Sequence, residues 1–218
     1  MTEKTKRDQS TTILLIFVGV GTAIVLLIIG LVSLSRSSNN TGHDHAAGES
    51  DFTGITLVNP PQDVPDFTLT NQDGKPTRLS DLRGKPTLIF FGFTHCPDVC
   101  PMTLSEFLRL NEAVGPDKVN FVFISVDGAR DTPAVMKQRL ANSRTPFVIG
   151  LTGDVQDVLK YGAPFNLVAE SEPKDAAGEY DIAHTSAVFV LNASGQWVAK
   201  YEYLTPLDTM IADLKTRL

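Results

Sequence analysis

Pro86-Thr87-Leu88-Ile89-Phe90-Phe91-Gly92-Phe93-Thr94-His95-Cys96-Pro97-Asp98-Val99-Cys100-Pro101 is the stretch on which the reading of this chain turns. Residues 86–93 are apolar on both faces, as a central strand in a sheet covered on both sides should be. The segment that follows carries the two cysteines of the chain, with three residues between them, at the mouth of that strand. Beyond them Leu104, Phe107, Leu108 and Leu110 recur at helical spacing until Gly115-Pro116 gives a stop signal. Pro101 has no N–H to donate and sits best in a first turn, so the helix is predicted to begin near Cys100, with Cys96 in the entering loop. The helix N-terminus then favours thiolate at Cys100 or nearby. Helical geometry would put the two Cα atoms roughly 6 Å apart, within the range a disulfide accepts.

Working outward, strand and helix alternate. Residues 64–69 and 77–79 flank Asn71-Gln72-Asp73-Gly74-Lys75, whose Asp-Gly predicts an N-terminal hairpin. Residues 119–126 read as a second buried strand, and Thr132 and Pro133 as N-cap and first residue of a helix running through Val135, Met136 and Leu140. A short strand at 147–151 and a short helix at 154–161, ended by Gly162, come next. Residues 187–191 and 197–203 form a hairpin about Asn192-Ala193-Ser194-Gly195, and 208–214 a final amphipathic helix. With right-handed crossovers this order predicts an α/β, thioredoxin-like layered sheet. Phe90, Phe91, Phe121 and Trp197 belong to its core. The stretch 163–182 breaks the rhythm with Pro164, Pro173, Gly178 and several acids, and a loop of that length is usually functional or disordered. It leads to His184, expected at the end of a central strand and, by topology, opposite the cysteine loop.

The N-terminal 50 residues have a different character. Residues 13–34 are uncharged and almost wholly apolar, about 22 residues at 1.5 Å each, enough for a bilayer core of roughly 30 Å. Lys4, Lys6 and Arg7 precede them and only Arg36 follows closely, which predicts a cytoplasmic segment 1–12, a single transmembrane anchor 13–34 and an extracytoplasmic remainder. The run exceeds a signal-peptide core, and residues 33–36 make a poor cleavage site, so the anchor is expected to stay in a bacterial inner membrane, with the domain in the periplasm. Ser, Asn, Gly, His and Ala fill 35–50, a flexible tether, and a single domain of ordinary size occupies 51–218. With 25 acidic against 19 basic residues and no basic block, nucleic acid is not an expected partner.

Three chemistries fit the thiols. A structural disulfide is feasible, although so small a loop constrains the unfolded chain little. A dithiol-disulfide reductase is a second reading, against which stands the three-residue spacing in place of the usual two. The third is a soft-metal site, in which two thiolates and a nitrogen donor suit Cu(I) and an added solvent ligand admits Cu(II). Zinc would want a fourth protein ligand. His184 is the candidate nitrogen donor, though a lone histidine at a strand end also serves as a hydrogen-bonded, partly buried residue. His95 adjoins Cys96 and should point away, tuning or packing the site without ligating. His43 and His45 are weaker candidates for transient binding, and Asp98 is a turn residue or an influence on thiol charge.

Cys-Pro-Asp-Val-Cys-Pro at residues 96–101, preceded by Phe-Gly-Phe-Thr-His at 91–95, resembles the signature of the Sco/SenC family. Asp66-Phe67-Thr68-Leu69, Ile124-Ser125-Val126-Asp127, Arg130-Asp131-Thr132-Pro133, Ile149-Gly150-Leu151-Thr152-Gly153 and residues 180–185 extend the likeness over the whole extracytoplasmic domain. The resemblance implies a membrane-anchored copper chaperone of thioredoxin-like fold, holding one copper ion with Cys96, Cys100 and His184. It implies as partners cytochrome c oxidase subunit II, at its binuclear copper site, and other copper chaperones. The rival expectation is an enzyme, a thiol-disulfide reductase or a peroxide-reducing relative. Two departures stand out. The family usually has Asp before the histidine where this chain has Ala183, so an orienting carboxylate is expected from elsewhere, such as Asp181; and Asp127-Gly128-Ala129 replaces a common Asp-Pro-Glu.

Overall fold

The computed structural model describes residues 54–218. The predicted anchor, the tether and His43 and His45 lie outside them; among the described residues, no helix is long and apolar enough to cross a membrane.

Among the described residues, ten strands and four α-helices follow one another: β1 (Ile55–Asp63), β2 (Thr68–Asn71), β3 (Pro76–Arg78), β4 (Thr87–Gly92), α1 (Val99–Val114), β5 (Asn120–Ser125), α2 (Pro133–Asn142), β6 (Ile149–Thr152), α3 (Val155–Gly162), β7 (Ala169–Ser171), β8 (Ile182–His184), β9 (Val188–Leu191), β10 (Gln196–Tyr201) and α4 (Leu207–Lys215). Eight strands make one sheet in the order β1-β10-β9-β4-β5-β6-β2-β3. β4 and β5 run parallel, as do β5 and β6, while β9 is antiparallel to β4. This is the thioredoxin-like layered architecture. Every residue of β4 and β9 is buried, which explains runs with no polar alternation; β10, nearer the edge, alternates buried and half-buried. Helices α1 and α4 pack on each other, and α2 lies over β6 where Gly150 leaves room, since a Cβ there would come within 2.4 Å of Met136 Cγ.

The predicted start signal of α2 holds. Thr132 caps α2 by accepting the Val135 N–H through its hydroxyl, with Pro133 as the first helical residue, and Asp154 caps α3. The hairpin of β2 and β3 turns at the predicted Asp73-Gly74, where Gly74 has φ +75°. Yet it is not the first element, because β1 precedes it and pairs with β10 at the sheet edge. Gly162 is the residue at which α3 ends, as expected, though not as a left-handed cap. It has right-handed helical angles and passes straight into a 3-10 turn at Ala163–Phe165; the left-handed residue is Asn166, at φ +56°. Glycine is needed at 162 for space, because a Cβ would meet Leu167 Cδ2 at 2.3 Å.

The stretch 163–182 is also more ordered than a loop. β7 lies within it and β8 begins at its last residue, and the two form an antiparallel pair that stands outside the main sheet as a two-stranded arm, with Ala169 opposite His184. His184 therefore ends β8 of this arm and not a strand of the central sheet, a correction to its expected place.

Candidate metal centre

β4 delivers the chain into the site. After Gly92 the buried Phe93 and Thr94 lead to the exposed His95, then to Cys96 in the loop, and α1 begins at Val99. Asp98 holds the N-cap position without a side-chain cap bond. The orphan donor of the first turn is satisfied by sulfur, for the Cys100 N–H donates to Cys96 Sγ at 3.4 Å. Cys100 is fully buried and Cys96 is 7% exposed, so only Cys96 reaches the surface. Gly92 makes the room: a Cβ there would lie 2.8 Å from Cys100 Sγ and 2.7 Å from Phe90 Cε1.

His184 arrives from the arm. Its Nε2 stands 3.7 Å from Cys100 Sγ, and its Nδ1 lies 3.1 Å from the Thr185 backbone carbonyl. A carbonyl oxygen only accepts, so in the neutral ring Nδ1 carries the proton and Nε2 keeps a free lone pair turned toward the sulfurs. The Thr185 carbonyl, not Asp181, orients the ring; the Asp181 carboxylate accepts the Ile182 N–H instead. Phe90 and Phe93 meet the imidazole edge-on at centroid distances of 5.9 and 5.7 Å, which fixes its plane. One ligand atom from each of Cys96, Cys100 and His184 lies within 4.8 Å of the other two.

The thiols differ in charge. The Cys100 S–H donates to Cys96 sulfur, and this bond, aided by the backbone N–H groups of Cys100 and Asp98, pulls Cys96 well below the ordinary thiol range despite its burial. The same bond and deeper burial push Cys100 up. One proton is shared between two sulfurs, and the charge rests on Cys96, whereas the sequence favoured Cys100 or its neighbours.

The loop is held from beneath by Asp131, a fully buried carboxylate that accepts the Thr94 N–H at 2.9 Å, the Thr94 hydroxyl, and the Ser125 hydroxyl at 2.7 Å. His95 stays outside the Cys–Cys–His set, as expected, with Nδ1 3.1 Å from Thr94 Oγ1 and 3.8 Å from Asp131. It also falls near Asp127 and Asp131, but both carboxylates are engaged within the fold, Asp127 accepting from Arg130 and Tyr180 and Asp131 from Thr94 and Ser125. Gly92 and Asp131 were not singled out as site residues by sequence. The signal for Gly92 was a glycine inside a strand run, which often marks close approach.

The SCO1/SenC family profile matches residues 58–218, the whole of the described fold beyond its first strand residues. The chain belongs to this family. Among relatives, the mitochondrial SCO2 homolog of Danio rerio is 33% identical over 152 residues, covering 68% of this chain and 54% of its own length. The chain thus spans about half the length of that relative. Among solved structures, Bradyrhizobium japonicum ScoI with copper bound is 42% identical with a TM-score of 0.64, over 71% of this chain and 99% of that one. BsSco, described by a disulfide switch and as a member of the Sco family of cytochrome c oxidase assembly proteins, is 28% identical with a TM-score of 0.59, over 72% of this chain and 94% of that one. As a Sco-family domain, the chain presents its cysteine motif and late histidine as one cluster of donors.

Proposed function

We propose that this protein is a copper chaperone that binds one copper ion through Cys96 Sγ, Cys100 Sγ and His184 Nε2 and passes it to an envelope acceptor, the binuclear copper site of cytochrome c oxidase subunit II. The observation that carries this reading is the donor set itself. Two sulfurs and an imidazole nitrogen with a free lone pair converge within 4.8 Å of one another at a pocket mouth lined by Pro97, Val99 and Ala183. Soft donors at that number select Cu(I) over harder cations, and the open mouth leaves space for a solvent ligand on Cu(II). A thiol already drawn toward thiolate at Cys96 lowers the proton cost of loading, while Cys100 releases its proton on binding. Copper transfer would proceed by ligand exchange, the accessible Cys96 or His184 yielding first to an incoming donor. The copper-bound relative and the oxidase-assembly description of BsSco support the same assignment. Residues 13–34 would anchor the domain in the bilayer, with residues 1–12 cytoplasmic and the domain periplasmic.

Competition against a Cu(I) chelator tests it. Wild type should bind one equivalent, Cys96→Ser and Cys100→Ser should each lose tight binding, and His184→Ala should weaken retention roughly tenfold or more while the disulfide still forms and is reduced. His184→Ala holding copper as tightly as wild type would remove the three-donor site. The reductase reading draws support from the same depressed Cys96 thiol, which suits attack on a disulfide. It predicts the converse, with thiol exchange altered by His184→Ala and copper incidental.

A further inference from the structure

The arm that supplies His184 is fastened to the domain at one point away from its root. At the root, the Val168 and Thr185 backbones pair, and β8 runs into β9. Along the outer part, residues 172–181, a cavity of about 390 Å³ separates arm from body, lined by His95, Pro97 and Arg130 on one side and by Glu172, Asp175 and Tyr180 among others on the opposite side. Among the described residues, every hydrogen bond and ion pair that crosses from 172–181 to the body ends on Asp127 or Arg130. The Tyr180 hydroxyl donates to Asp127 Oδ1 at 2.7 Å, and the Arg130 guanidinium lies over the Tyr180 ring, 3.6 Å from Cζ to centroid. Arg130 Nε donates to the other oxygen of Asp127, and Nη1 reaches Glu179 at 3.4 Å. The same guanidinium is 5.8 Å from the centroid of Phe93, the ring that meets His184 edge-on.

We infer that Arg130, Asp127 and Tyr180 form a clasp whose closure positions His184 against the two sulfurs, so that the third donor of the site is present only while the arm is held. None of the three touches the sulfurs; they act through the register of β8, four residues of chain from Tyr180 to His184. A planar guanidinium stacked on Tyr180 and a buried carboxylate shared between Arg130 and Tyr180 make the clasp directional, so a partner that competes for Arg130 or Tyr180 would free the arm and strip the site to its two cysteines.

The inference rests on the three-donor reading, and two measurements separate their failures. Tyr180→Phe removes the bond to Asp127 and keeps the ring; Arg130→Gln removes the stack and the ion pairs. In the copper-free, reduced protein, each should raise amide hydrogen exchange across residues 180–185 by about tenfold with exchange in β4 and α1 unchanged; exchange unchanged at 180–185 overturns the clasp whatever the metal does. In Cu(I) competition, each should weaken retention about tenfold, the lower end for residues that support a ligand, and should add nothing in a His184→Ala background. A loss that persists at full size in that background, or no loss in wild type, overturns the positioning role. Wild type that retains copper equally with and without His184 would instead overturn the three-donor site.

Discussion

Cys96 and Cys100 are the same residue in two electrostatic settings, and their reactivity should separate accordingly. In the reduced protein Cys96 accepts hydrogen bonds and holds the charge, whereas Cys100 donates its proton and is sealed from solvent. Iodoacetamide should label Cys96 alone, at a rate nearly flat between pH 6 and 8; a rate climbing tenfold per unit, as for an ordinary thiol of 9.0, would contradict the assignment. The stability linkage follows with opposite signs. A lowered Cys96 contributes stability that is complete above the ordinary thiol value and lost as pH falls through the folded one. A raised Cys100 costs stability once pH exceeds 9.0, so with respect to this pair the reduced domain is most stable near that value. Gly92 is the steric counterpart. Gly92→Ala places a methyl 2.8 Å from Cys100 Sγ and 3.1 Å from Phe123 Cε2, both side chains fully buried in the core. It should cost about 1–3 kcal/mol in urea unfolding and weaken copper retention; an unchanged midpoint would mean the thiol has slack that the packing denies.

Asp131 stands where elements meet: it follows β5, immediately precedes the Thr132 cap of α2, and holds the loop between β4 and α1 through both the backbone and the hydroxyl of Thr94. Asp131→Ala strands the buried Thr94 N–H and the Ser125 hydroxyl, so unfolding free energy should drop by about 3 kcal/mol or more. Thr132→Ala, one residue on, removes only a cap and should cost about 1 kcal/mol with copper binding intact. Equal losses from the two would show that Asp131 does no more than a cap. Elements of this kind differ in how plainly the sequence declares them. β4, the thiol loop and α1 could be read because an all-apolar run, a proline-restricted first turn and a 3.6-residue stripe are local signals. Thr132-Pro133 was read for the same reason. β1 escaped because Pro60 and Pro61 lie inside it and most of its residues are exposed, the pattern of an edge strand and not of a core one. The arm escaped because β7 and β8 are three residues each and pair only with one another, leaving no periodicity to detect. His184 was found as a residue while its strand was not, and the proton on Nδ1 depends on a carbonyl that no sequence pattern reports.

At the scale of the whole domain, the site depends on a sheet that must not pair with its neighbours. One edge is β3, three residues long with Pro76 and Arg78, and poorly suited to accept another strand. The other is β1, whose Pro60-Pro61 interrupts its own donors while Ile55–Leu57 and Gln62–Asp63 cover β10, from Ile55 opposite Tyr201 to Asp63 opposite Gln196. Its start is pinned as well, since the Gly54 carbonyl accepts both the Glu202 N–H and the Thr205 hydroxyl at 2.7 Å. Without β1, the open edge would be β10, a six-residue strand with Trp197, Ala199 and Tyr201 packed on the core and no proline, interrupted only by the bulge between Trp197 and Ala199. A fragment 51–218 should therefore be soluble, monomeric on size exclusion and cooperative in urea. A fragment 64–218 keeps all three donor residues and the whole of β4, β5, β6 and β9, yet should self-associate through β10 and unfold at a lower midpoint. Should 64–218 run as a monomer with an unchanged midpoint, β1 would be dispensable decoration, and protection of that edge would have to come from β10 itself.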